Sequence, residues 1–408
     1  MIWYIFDVVQ SFPMTMLCQE QSTRTRTALL WMNLAAEPLL SMYFLLPFIL
    51  CREWHASAKQ VALFLTLRPV LCFCAFWLSS WMRKTQLVAH LILFSLLAYI
   101  PFLFFPFVPR YGVLLICAAC YQLFSRASLP ALIEVLRRNM DKAPREKSFS
   151  WFYFISFTES GLLGCLFGWV LEGSFFRWDM LLLIAALIGM TVYYPLRRIA
   201  PIPSHAPEGS WMESIRLLKR KEVAIFQWLF MAGGAAFMFM APALSRFYAH
   251  DLVLSYKDMA MGRFVMMALG VSLASHFWQK GLHKLHVLPL TRLVLLGFSL
   301  FPCLILIARW NHLFLFLGFF IYGIAQAGSH LIWNLSGTLF DPEKDSMPHT
   351  RLNLLMVGLR GLIFPFLGGV ICDRYGPIVV LWLGMALCGL GALSFWRTRI
   401  ERVVGTPS

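Results

Sequence analysis

Apolar residues in this chain do not alternate with polar ones. They gather into runs of roughly 20 residues or more, separated by short polar breaks. A run of that length wound as a helix, rising about 1.5 Å per residue, crosses about 30 Å of hydrocarbon. The pattern predicts twelve such helices, over residues 28–50, 59–82, 86–108, 111–134, 150–172, 179–196, 223–246, 259–279, 286–308, 312–338, 352–372 and 376–396. Longer breaks fall at 135–149, 197–222 and 339–351, and the longest parts the chain into two sets of six. The expected organisation is therefore an interfacial segment at 1–27, a six-helix bundle at 28–199, a linker with an amphipathic helix at 200–222, a second bundle at 223–396 and a tail at 397–408.

Composition agrees with a chain solvated by lipid. Of 408 residues, 59% are hydrophobic and only 13% charged, and the mean hydropathy is +0.69, which leaves too few charges to coat a soluble surface. The net charge of +15 raises the possibility of a nucleic-acid partner, but the basic residues form no single patch. With the N-terminus inside, the inner loops and tail hold 23 Lys and Arg and the outer loops 8. This is the excess expected of cytoplasmic loops, so charge reads as topology, with both termini cytoplasmic in an inner (plasma) membrane and no nucleic acid. Met1–Leu17 lacks a basic start and carries Asp7, so it does not read as a signal peptide; Trp3, Tyr4, Phe6 and Phe12 suit an interfacial helix. Most of the ten cysteines lie inside apolar runs. Cys117 and Cys120 form a CxxC flanked by Leu115, Ile116, Ala118 and Ala119, which reads as packing. No metal or cofactor is expected.

The two halves repeat one another. Pro38-Leu39-Leu40-Ser41 aligns with Pro242-Ala243-Leu244-Ser245, and Gln122-x-x-Ser125-Arg126 with Gln326-x-x-Ser329-His330, both at an offset of 204; Gly168-x-x-x-Glu172 aligns with Gly369-x-x-x-Asp373 at 201. Each match joins a helix to the one six later, as in carriers built from duplicated bundles.

This organisation resembles the major facilitator superfamily over nearly the whole chain. The basic loop from Pro130 through Arg137, Arg138 and Arg145 resembles that family's loop after the fourth helix. Phe176-Arg177-Trp178 is similar to its entry into the sixth, and Gly369-Val370-Ile371-Cys372-Asp373-Arg374-Tyr375-Gly376 resembles a G-x-x-x-D-R-x-G loop, here expected on the outer side. The loop Ser79-Ser80-Trp81-Met82-Arg83-Lys84 departs from the family by lacking its Gly and Asp, and the fifth helix has no Gly-Pro pair, which argues against drug export. The resemblance implies an all-α polytopic protein of twelve helices in two six-helix bundles related by a pseudo-two-fold axis along the membrane normal. It also implies a secondary carrier working by alternating access.

Charged side chains deep in a span cost roughly 2.5–3.5 kcal/mol on insertion scales, so each needs a partner, a wet cavity or a task. Glu37, Arg68, Arg126, Glu159, Arg263 and Arg360 stand out. Glu37, followed by Pro38, is expected about 14 Å into its helix, near the midplane; it suits either a proton-accepting carboxylate or one half of a fixed pair with an arginine. The four arginines outnumber the two acids, which suits an anionic solute unless Arg263 reaches outward to water. His330, at the repeat position of Arg126, either titrates or hydrogen-bonds a neighbour such as Ser329 or Asn334. Gln122, Gln227, Gln326 and Asn334 are candidate neutral lining groups. Gly161, Gly164 and Gly168 suit close helix contact, and Trp211, Ile215 and Leu218 mark an amphipathic connector.

The expected function is secondary transport of a small solute, anionic or not, coupled or not to protons, by a monomer in the bilayer. The rival readings are a transporter-like sensor or lipid translocator and, behind them, a lipid-modifying enzyme. His55, His205, His283, His286, Asp341 and Asp345 give no triad or ligand grouping for the last, and no Walker motif supports primary transport.

Overall fold

A computed structural model describes residues 2–79, 86–140, 142–199, 211–284, 287–340 and 347–394, with side chains described over most of them from Gln21 onward. Arg83, Lys84, His205, Asp341, Asp345 and the tail from Trp396 lie outside the described residues. So do the side chain of Asn334 and those of residues 1–20.

The described residues are almost entirely helical. In chain order the helices are α1 (Ile2–Glu53), α2 (Ala58–Ser79), α3 (Leu87–Phe104), α4 (Tyr111–Asn139), α5 (Lys142–Glu172), α6 (Trp178–Met190), the short α7 (Tyr193–Leu196) and α8 (Trp211–Arg216), then α9 (Lys221–Arg246), α10 (Tyr256–Ala260), α11 (Met267–Lys284), α12 (Val287–Ile307), α13 (Leu313–Phe340), α14 (Met347–Tyr375) and α15 (Pro377–Leu393). Among the described residues, seven stretches are long and apolar enough to cross a membrane: Gln21–Glu53, Leu87–Phe107, Trp178–Leu196, Lys221–Asp251, Leu288–Ile307, Leu313–Trp333 and Leu352–Tyr375. Four further helices are of comparable length, and three of them, α2, α4 and α5, carry Arg68, Arg126 and Glu159, while Arg263 stands in the turn leading into α11.

Apolar stripes face outward at helical spacing, as Leu269, Leu273 and Phe277 on α11, Leu293, Leu296 and Leu300 on α12, and Leu359, Leu362, Ile363 and Phe366 on α14. Surfaces of this kind are untenable in water and natural in lipid, so the chain is an integral, multi-pass membrane protein. Exposed Phe107, Phe175, Phe176, Trp310 and Tyr375 cluster at the helix ends expected outside, where aromatic rings suit an interface.

The chain folds as two compact units, one of Met1–Leu45 and Leu71–Pro207, the other of Leu46–Val70 and Glu208–Ser408. In the first, Ala28 and Ala35 of α1 pack with Leu87, Val88 and Leu91 of α3, Ala131 and Val135 of α4, and Val192 and Leu196 beside α7. Trp31 Nε1 donates to Thr191 Oγ1 at 2.9 Å, and Asn139 Nδ2 to Thr25 Oγ1 at 2.8 Å. Helix α1 is continuous from Ile2 and does not begin near residue 28, because its N-terminal turns continue the hydrogen-bond ladder without a break. The expected close contact at Gly161 is not formed; a Cβ there would meet open space.

Close backbone approach belongs instead to the second unit. A Cβ on Gly368 of α14 would collide with the Phe239 carbonyl oxygen of α9, and Cβ atoms on Gly270 and Gly323 would strike the facing backbone of α13 and of α11. Glycine is required at these crossings because no side chain fits. The outer part of α1 and the start of α2 belong to this unit through polar ties. Asp373, at the end of α14, accepts from the Ala58 and Lys59 backbone N–H groups at 2.9 and 3.2 Å and pairs with Arg246 at 3.0 Å. Tyr256 donates to Glu53 Oε1 at 2.6 Å, and Arg52 donates to the Leu254 carbonyl while lying over the Tyr256 ring. Two π turns, Phe247–Asp251 and Met261–Met266, flank the connection from α9 to α11.

Candidate functional site

Each unit holds its own cluster of buried polar groups. In the first unit, α1 presents Glu37 and Ser41 one turn apart, so both lie on the same face. Glu37 is 7% exposed and Ser41 fully buried. Facing them, α5 supplies Glu159 and Ser160. Ser160 hydrogen-bonds Glu37, and its hydroxyl lies 3.3 Å from Ser41 Oγ. When Glu37 is ionised, the one proton of Ser160 is committed to it and Ser41 becomes the donor to Ser160. The Glu159 carboxylate lies within electrostatic reach of Glu37, and its Oε2 is buried with no hydrogen-bond partner. Among the described residues of this unit, no arginine forms an ion pair with either acid. Arg126 is half-buried on α4, one turn after the buried Gln122, and no ion pair joins it to either acid.

In the second unit, Gln326 Nε2 and His330 Nε2 lie 2.9 Å apart along α13. Among the described side chains, the partner of His330 is thus the residue one turn earlier and not the adjacent Ser329, because residues four apart share a helix face. The Arg68 guanidinium acts on His330 electrostatically, so α2 and α13 bring a cation and an imidazole together. Arg263 does not reach outward to water. Its guanidinium lies over the Tyr322 ring of α13, 5.9 Å from the centroid, where the ring face offers a partner inside the bundle. Gln227 Nε2 donates to Asn353 Oδ1 at 2.6 Å, both residues being buried.

Arg360 of α14 is 8% exposed. Its NH1 donates to the Phe230 carbonyl oxygen at 2.7 Å, the guanidinium lies 4.3 Å from the Phe230 ring centroid, and Nε has no partner. A Cβ at position 234 would collide with the guanidinium, so Gly234 makes the space that Arg360 fills. The arginine borders a small cavity among α9, α12, α13 and α14.

The structure therefore joins Glu37 with Glu159, and Arg68 with Gln326 and His330. Among the described residues, no ion pair or hydrogen bond joins Arg126 to the Glu37–Glu159 pair of its unit, or Arg360 to the Arg68 and His330 of its own. Sequence reasoning missed Ser160, Asn353, Phe230 and Gly234. The adjacent glycines Gly233 and Gly234 inside an apolar run, and Asn353 between two leucines, were the available signals. Among the described residues no group of three or more His, Cys, Asp or Glu could hold a metal.

Neither family profiles nor curated proteins match the sequence. Solved structures do. A mutant form of the nucleoside transporter NupG superposes with a TM-score of 0.72 at 12% identity, covering 92% of this chain and 99% of that one. A POT family transporter in complex with 5-aminolevulinic acid gives 0.72 at 13% identity, covering 91% and 95%, and a D-xylose-proton symporter gives 0.68 at 12%, covering 92% and 97%. These neighbours are transporters rather than enzymes. At such identities a likeness speaks for architecture and leaves the solute open. Helix order, outward apolar stripes and near-complete superposition agree that this chain shares the fold of these solved transporters.

Proposed function

We propose that the protein is a secondary carrier of twelve membrane-crossing helices in two six-helix bundles, moving a small solute by alternating access and using the Glu37–Glu159 pair to couple transport to protons. The reading places both termini in the cytoplasm and the chain, as a monomer, in the inner membrane, following the distribution of Lys and Arg.

The observation that carries the coupling is the carboxylate pair itself. Glu37 is buried in its span, held by Ser160, beside a second carboxylate with a bare buried oxygen and no compensating cation among the described residues. Two carboxylates in a low-dielectric interior repel when both are charged, and a proton shared between them relieves the repulsion. One charge moved across 100 mV is worth about 2.3 kcal/mol, enough to drive roughly fiftyfold accumulation. The solved neighbours add an analogy only, since one of them is described as a proton symporter.

The test is uptake and counterflow in proteoliposomes over a panel of anions, amino acids, nucleosides and sugars, with and without a pH gradient. At least one solute is expected to exchange, and the gradient to drive its accumulation. Glu37→Gln should abolish accumulation and spare exchange; accumulation at the wild-type level in that variant would remove Glu37 from the mechanism.

A further inference from the structure

The chain enters α9 through a short segment whose two sides differ. Helix α8 lies against α14, and the turn that follows it, Leu217–Lys219, lies against α9. Ser214, on the inward side of α8, is fully buried, whereas Met212 and Ile215 are 57% and 43% exposed. Residues three and four apart share a helix face, so Met212, Ile215 and Arg216 look outward together. Lys219, Arg220 and Lys221 follow, and they too are exposed. Over residues 211–222, four basic side chains stand against the two acids Glu213 and Glu222. Arg220 reaches back to the fold, its NH2 donating to the Phe340 carbonyl oxygen at 3.3 Å. Among the described residues, no acid pairs with Arg216, Lys219 or Lys221.

Position decides what covers this face. Helix α9 opens at Lys221 and belongs to a stretch long and apolar enough to cross a membrane. Ile215 stands six residues before that start, about 9 Å along a helix, which keeps the segment at the level of the lipid headgroups. We infer that it docks onto the anionic phospholipid surface of the membrane, with Met212 and Ile215 among the upper acyl carbons and Arg216, Lys219 and Lys221 against the phosphates. Charge complementarity names the occupant, since segments that combine apolar residues with Lys and Arg in the membrane plane favour anionic lipid. A soluble phosphate would answer the cations and leave the apolar pair in water. A zwitterionic lipid would cover the apolar pair and leave the cations without a net counter-charge. The inference needs only the chain's place in a membrane and holds whether or not the protein carries a solute.

The test is native mass spectrometry of the purified full chain in detergent, titrated with dioleoylphosphatidylglycerol or dioleoylphosphatidylcholine, which share acyl chains and differ in headgroup charge. At least one phosphatidylglycerol is expected to bind about tenfold more tightly than phosphatidylcholine, and more weakly as ionic strength rises. The triple variant Arg216→Gln, Lys219→Gln, Lys221→Gln should weaken that event about tenfold or more, each basic residue near an anionic surface being worth about fivefold. Its binding of phosphatidylcholine should not change. Met212→Ser combined with Ile215→Ser should weaken both lipids severalfold. Arg197→Gln combined with Arg198→Gln removes two exposed cations beside α7 and should leave the tight event in place, and excess glycerol phosphate should not displace it. Equal affinity for the two lipids, undiminished binding to the triple or the serine variant, an equal loss in the Arg197 and Arg198 variant, or displacement by glycerol phosphate would each overturn the assignment. Should the triple variant fail to fold, Lys219→Gln alone decides, with a loss of about fivefold expected and an unchanged affinity overturning it.

Discussion

The two units bury ionisable groups in their spans and treat them in opposite ways. In the first, Glu37 and Glu159 stand as like charges softened by serine hydroxyls. In the second, Arg360 stands against an aromatic wall with a backbone carbonyl as its one hydrogen-bond acceptor. Neither relies on a salt bridge. At the ends of the helices the rule is different: Asp373 holds Arg246 and two backbone N–H groups together, and Arg177 grips Asp179 at 2.6 Å. Charges that fasten the fold are paired near its edges, where residual solvent lowers the cost of desolvation. Among the described residues of their own units, Glu37, Glu159 and Arg360 have no ion-pair partner, as suits groups whose partner comes and goes.

Five substitutions sharpen this contrast between fastening and switching positions. Gly368→Val should have the largest effect, because the branched side chain meets the Phe239 backbone, which cannot rotate away as a side chain would. A cost of about 3 kcal/mol or more should appear as loss of the monodisperse peak in size-exclusion chromatography. The pair Glu37→Gln and Arg360→Gln comes next and separates the two mid-span sites. The first should remove gradient dependence while leaving exchange intact, and the second should raise the half-saturation concentration for an anionic solute in both assays by about tenfold. Identical phenotypes would erase the distinction between the units.

Asp373→Asn is a fastening change. It loses a partly exposed ion pair and weakens the carboxylate cap on α2, for about 1–2 kcal/mol together, read as a melting temperature lower by a few degrees with transport still gradient-dependent. Gly161→Ala should be the mildest. Its Cβ meets open space and alanine favours the helix by about 0.5–1 kcal/mol, so the melting temperature should hold or rise slightly.

Much of the architecture was legible because lipid imposes a simple rule. A chain crossing hydrocarbon must satisfy its backbone internally and show apolar side chains outward, so runs of apolar residues translate directly into helices. The intramembrane charges were legible for the same reason, since Glu37, Arg126, Glu159 and Arg360 interrupt those runs. Their partners were not. Ser160 follows Glu159 in sequence, yet its tie to Glu37 depends on how α1 and α5 face each other. His330 has several polar neighbours along its helix, and only the backbone geometry singles out Gln326.

Glycines divide along the same line. Gly161, Gly164 and Gly168 formed the more regular pattern, but Gly161 faces open space, while Gly234 seats a guanidinium and Gly368 lets two backbones touch. A small residue records only that space could be used; which helix uses it depends on the crossing of two elements distant in sequence.

What the sequence alone determined was the solvent, the helical class, the family likeness and the identity of the out-of-place charges, because each follows from local composition along one helix. The tertiary structure alone decided which charges are paired, which are left bare, and that Arg360 opens onto a cavity walled by aromatic rings. Those properties are distances between helices, and packing rather than periodicity fixes them.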